Sequence, residues 1–139
     1  MNINLKNPVI FILVHLVIFI ITGALANALA SILRISPSVA SIGTILLSSN
    51  FIGSYYGKKY GSPLKTTFLN TVSVGLSGII TLFSLIYYRI LMIRGEVDSN
   101  VDVIELGIAS VLTFLMFSFI ISFAIKFGIK AGIKSIQNA

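Results

Sequence analysis

The sequence predicts an all-α fold, a four-transmembrane-helix bundle with both termini cytoplasmic, and three observations carry that prediction. The 139-residue chain is 56% hydrophobic and 10% charged, with a mean hydropathy of +1.02, whereas soluble domains carry about 25% charged residues. Four apolar runs are each long enough to cross about 30 Å of hydrocarbon as a helix, which takes roughly 20 residues. Charge is segregated: the only acids, Glu96, Asp98, Asp102 and Glu105, fall within ten residues of one connection, while seven of the ten Lys/Arg residues lie on three other polar segments.

The first run, Pro8 to Leu33, opens on a proline suited to a first helical turn. The second, Ser38 to Tyr56, is entered through Ser36-Pro37-Ser38, a proline followed by a good N-cap. The third runs from Leu64 to Ile93 after Gly61-Ser62-Pro63, and the fourth from Val101 to Phe127. Backbone groups in lipid must be satisfied internally, so runs of this length are expected as helices. None shows the strict alternation of a membrane strand. Ala24-Leu25-Ala26 and Ala28-Leu29-Ala30 resemble leader cleavage sites, but the apolar run exceeds a typical leader core, so a retained span is expected. The chain then reads as a single integral membrane domain over 1–139, closed by a basic amphipathic tail at 126–139. There Lys126, Lys130 and Lys134 share one face, Ile125, Ile129, Ile133 and Ile136 lie near another, and Gly128 and Gly132 weaken the helix.

Lys/Arg placement gives orientation. Lys6 precedes the first run, Lys58, Lys59 and Lys65 flank the second connection, and three lysines occupy the tail; Arg34, Arg89 and Arg94 accompany the acids on the other side. Positive charge stays inside, so both termini and the second connection are expected in the cytoplasm and the acidic connection outside. The expected location is a bacterial inner membrane, multi-pass.

Packing signals are denser than chemical ones. Ser49, Gly53, Gly57 and Gly61 recur every four residues, a spacing that lets helices approach closely in lipid. Asn27, Asn50 and Asn70, one in each of the first three runs, are expected to bridge helices with their carboxamides, or else to line a solute path. His15 is expected as a neutral imidazole packed on a neighbour. Tyr55, Tyr56, Lys58, Lys59, Tyr60 and Lys65, with Lys126, Lys130 and Lys134, read as membrane-interface anchors, because tyrosine rings prefer headgroup depth and lysines pair with anionic lipid.

Two of these segments carry a resemblance. Gly53-Ser54-Tyr55-Tyr56-Gly57-Lys58-Lys59-Tyr60-Gly61-Ser62-Pro63 resembles the G-x-x-F-x-x-x-x-G-R-x-P segment of a family of small four-helix proteobacterial inner-membrane proteins. The ending from Lys126 to Lys134 is similar to that family's basic, small-residue C-terminus. Tyr56 stands where the family carries Phe, Ser62 where it carries Arg, and Pro63 comes one residue early. The resemblance implies fold and location, and it brings no activity with it.

Composition also narrows function. Zero cysteines exclude disulfides, thiolate metal sites and a Cys nucleophile, and one histidine is too few for a His-based metal cluster. No cofactor, no metal and no nucleic-acid partner is expected; the basic residues flank apolar runs and address the bilayer. Small multidrug transporters need a carboxylate in the first helix, and Pro8 to Leu33 has none. Asn50-Phe51-Ile52-Gly53-Ser54 and Thr66-Thr67-Phe68 look like fragments of the fluoride-channel signature, but the spacing between them is too short. Catalysis in a membrane needs a nucleophile with a base, or carboxylates, facing a polar cavity, and no such constellation is legible. An immunity-type protective protein that binds a membrane-acting toxin is therefore the leading expectation, with Glu96, Asp98, Asp102 and Glu105 as its partner-binding face. The alternatives are a small transporter or channel formed by homo-oligomerisation, and an accessory subunit of a larger membrane complex.

Overall fold

A computed structural model describes residues 4–96 and 103–138, and in these residues the chain forms four helices and no strand. Helix α1 (Pro8–Leu33) begins as expected: Asn7 Oδ1 accepts hydrogen bonds from the Val9 and Ile10 amides, and Pro8 fills the position whose amide would have no partner. It ends at Arg34, a non-glycine residue in the left-handed region (φ 55°), beyond which the Ile35 amide reaches back to the Ala30 carbonyl. Helix α2 (Pro37–Tyr60) is capped by Ser36, whose hydroxyl accepts from the Val39 amide. Helix α3 is Thr66–Ile93 and helix α4 is Val103–Gln137.

Four boundaries differ from expectation, the smallest being the start of α2, where Ser36 caps and Pro37 opens the helix in place of Ser38. Helix α2 continues four residues past Tyr56 and stops at Gly61, whose positive φ of 61° lets its amide close onto the Gly57 carbonyl. Helix α3 starts at Thr66 rather than Leu64, because Lys65 is extended (φ −61°, ψ 141°) and takes the N-cap position. The largest change is in α4, where the expected separate tail from Lys126 onward is the last third of one unbroken 35-residue helix.

The helices close into a ring in which α1 touches α2 and α3, and α4 touches the same two. The most extensive pairing is α2 with α4. It runs parallel, and it explains both the length of α4 and the glycine spacing. A Cβ on Gly53 or Gly57 would collide with the carbonyl oxygen of Ile125 or Ile129, and one on Gly128 or Gly132 with that of Asn50 or Ser54. Glycines on both helices therefore let the two backbones meet, the packing mode that small residues make available in lipid. Gly128 and Gly132, expected to weaken a surface helix, instead hold α4 against α2.

The exterior is apolar, unlike that of a soluble domain, and several polar side chains are buried. Large apolar side chains point outward along α1, α3 and α4, Ile20 being 67% and Phe119 73% exposed, while His15, Thr44, Ser48, Ser49, Ser73, Ser77 and Thr81 are buried between helices. An apolar core of Phe11, Ile45, Ile52, Leu76, Ile121 and Ile125 fills the centre. Helices α1, α3 and α4 are long and apolar enough to cross a membrane; α2 is long enough but not apolar enough. Its composition follows in part from its position, since Thr44, Ser48, Ser49, Gly53 and Gly57, which lower its apolarity, are buried against α1 and α4.

Candidate functional site

The two ends and the interior of the bundle offer different chemistry. At the basic end, the residues before α1, the α2–α3 connection and the end of α4 converge. The Tyr60 hydroxyl accepts a hydrogen bond from the Leu5 amide at 3.0 Å, and Leu5 itself is fully buried, which ties the N-terminal segment onto the exit of α2. Below this contact Phe11 meets Phe68 edge-on at 5.7 Å and Tyr56 at 6.2 Å, and Tyr56 packs on Tyr60 at 4.6 Å. Above it, the Lys6 ammonium lies 5.1 Å from the Tyr60 ring centroid, and Lys59 lies 5.6 Å from the Tyr60 and 6.0 Å from the Tyr55 centroid.

This arrangement revises part of the expected interface belt. Tyr55, Lys58, Lys65, Lys126, Lys130 and Lys134 are exposed, and Lys59 is half-buried. Tyr56 is buried beside Phe11 and is thereby drawn into internal packing, and Tyr60 is half-buried against it. Two grooves open beside them. One, of about 380 Å³, is walled by Leu64, Leu69, Phe123, Phe127 and Ile133 together with Lys126 and Lys130. The other, of about 340 Å³, is lined by Lys6, Ser62, Lys65 and Phe68, and Pro63 and Leu64 line both.

Inside the bundle, His15 of α1 is only 2% exposed, and its Nε2 lies 3.1 Å from the Ser48 hydroxyl and 3.2 Å from that of Ser49, both on α2. Ser48 Oγ also lies 3.2 Å from the Ile45 carbonyl of its own helix. His15 Nδ1, Ser73 Oγ and Thr81 Oγ1 are buried without a hydrogen-bond partner among the described residues. Thus Ser49, expected as a backbone-packing residue, is also a histidine partner, a role that its sequence spacing does not reveal. The polar bridge between helices is made by His15, and not by the asparagines: Asn27 and Asn70 are exposed, and Asn50 is half-buried with its carbonyl against Gly128.

At the opposite end, Glu96 and Glu105 are exposed, and Arg94 approaches Glu96 at 4.0 Å in an exposed pair that contributes little to stability. Asp98 and Asp102 lie outside the described residues. Among the described residues no three His, Asp or Glu side chains come together to hold a metal ion. Compared with protein-family models, curated proteins and solved structures, the chain matches none of them.

Proposed function

We propose that the chain is a four-pass inner-membrane protein that acts by binding, as an immunity-type protein that neutralises a basic, membrane-acting toxin at its outer face. The observation that carries this reading is charge segregation: every acid lies in the connection between α3 and α4 or at its edge, and seven of ten cations lie at the other end of the bundle. A negative patch on a short connection raises the encounter rate of a cationic partner. The crossing of α2 is supported by chain geometry. Since Leu5 and Lys6 sit beside Tyr60 and Lys65, α1 and α3 start at the same end, and α2 must return the chain across whatever α1 spans. Both termini then share the cytoplasmic side with the lysines, in keeping with the small four-helix family that the segment from Gly53 to Pro63 resembles.

The test is survival of cells expressing the chain when challenged with basic pore-forming polypeptides. Protection should be lost in the combined Glu96→Gln, Asp98→Asn, Asp102→Asn and Glu105→Gln variant at unchanged membrane abundance. Equal protection by that variant would overturn the assignment of the face.

A second reading rests on Asn27 and Asn70. Both carboxamides are exposed on apolar helices, and Asn27 lies six residues inside the end of α1, where lipid offers no hydrogen-bond partner. Such groups favour a contact with a second copy or another subunit, and through it an oligomeric transporter or an accessory role. Solute flux in liposomes that is abolished by Asn70→Leu would establish transport and displace the protective reading.

A further inference from the structure

We propose that the groove between the start of α3 and the end of α4 is a site for one anionic phospholipid of the leaflet that faces this end, with an acyl chain in the apolar trough and the phosphate held by Lys126 and Lys130. The inference concerns the basic end and is independent of what the acidic end binds.

Three features of the groove combine. Its walls from Leu64, Leu69, Phe123, Phe127 and Ile133 are apolar, and its volume of about 380 Å³ accepts a stretch of hydrocarbon chain. Lys126 and Lys130 are exposed, stand one turn apart on the same α4 face and line the same groove, so a single phosphate can be approached by both. Charge complementarity therefore selects an anionic headgroup, while the trough selects a molecule that also carries a chain. The start of α3 adds to this: Lys65 provides no side-chain cap, and Thr66, the first residue of the helix, lines the groove. The amides of a first helical turn have no partner within the helix and favour negative charge. Next to it, the second groove shares Pro63 and Leu64 with the first and brings Lys6 and Lys65. A lipid with a second phosphate would find that pair within the same surface.

Lysines that merely attract a charged bilayer would act together and without regard to position. A lipid site makes the two groove lysines special. Lys58 and Lys134 are exposed at the same end but line neither groove, so they serve as charge-matched controls.

The experiment is native mass spectrometry of the full chain in detergent, titrated with dioleoyl phosphatidylglycerol, dioleoyl phosphatidylcholine or soluble glycerol phosphate. Phosphatidylglycerol should saturate at a single high-affinity molecule per chain, and glycerol phosphate should not compete with it. Lys126→Gln combined with Lys130→Gln should weaken that binding by about tenfold to thirtyfold, the joint effect of two lysines on one phosphate. Lys58→Gln combined with Lys134→Gln should leave it unchanged. Thr66→Phe narrows the groove from an exposed position without removing charge, and should weaken phosphatidylglycerol binding even if the double lysine variant does not fold. Equal loss in both double variants, equal binding of phosphatidylcholine, full competition by glycerol phosphate, or unaltered binding by Thr66→Phe would each overturn the site.

Discussion

Gly128 and Gly132 are the residues on which the closest helix pair depends, and the contacts of their missing side chains make the dependence measurable. A methyl group at Gly128 meets the Asn50 carbonyl and one at Gly132 the Ser54 carbonyl, and neither backbone can move without unseating α2 from α4. Gly128→Ala or Gly132→Ala should therefore lower stability by about 1–3 kcal/mol, the usual cost of overpacking. Gly107→Ala, which meets nothing within 4 Å, should be neutral or stabilising by up to about 1 kcal/mol. Unfolding in mixed micelles at increasing fractions of SDS reads both, and equal effects at the three positions would refute the close contact. Tyr60 allows a second residue-scale test. Tyr60→Phe removes the only hydrogen-bond acceptor described for the Leu5 amide, so hydrogen exchange at Leu5 should accelerate and stability should fall by about 0.5–1.5 kcal/mol. His15 shows what sequence hides at this scale: its partners Ser48 and Ser49 are 33 and 34 residues away, and serines are so frequent in this chain that no spacing singles them out. The asparagines mislead for the complementary reason. A carboxamide in an apolar run implies a partner, but only the rotation of its helix decides whether it meets one, and Asn27 and Asn70 are rotated outward.

Whole elements were far more legible than their partners. Helix α1 spans Pro8–Leu33 as its apolar run and Pro8 indicate, since cap and hydropathy agree at both ends. Helix α2 overran its expected end because Gly57 is a packing residue within the helix, buried against Ile129, whereas the glycine that stops it, Gly61, is exposed, meets nothing and adopts a positive φ. The same ambiguity concealed the true extent of α4. Glycine lowers helix propensity in isolation, yet at Gly128 and Gly132 the contact with α2 outweighs it. At about 1.5 Å per residue the 35 residues of α4 span about 52 Å, which exceeds the hydrocarbon thickness of a bilayer. A continuous α4 has a direct consequence. Ala131→Pro, at an exposed position between the two glycines, should destabilise the bundle by about 3 kcal/mol and reduce helix content beyond residue 131. A tail lying separately on the membrane would tolerate the same change, with SDS unfolding unaltered.

At the scale of the molecule, an apolar core that also holds His15 and several buried Ser and Thr side chains, an apolar exterior and two ends of opposite charge describe a body built for a bilayer. Three of its helices are apolar enough to cross, and the fourth carries small residues on which α1 and α4 pack. Binding of a partner at the acidic end requires that this end face outward, so the topology underlies the proposed function. The chain has no cysteine, which makes single-cysteine labelling free of background. In intact cells treated with a membrane-impermeant maleimide, Ile35→Cys and Ser99→Cys should label, while Ser62→Cys and Asn138→Cys should label only after permeabilisation. Labelling of Ile35→Cys and Ser62→Cys from the same side would show that α2 does not cross, and labelling of the second pair alone would invert the molecule and remove the acidic face from the outside.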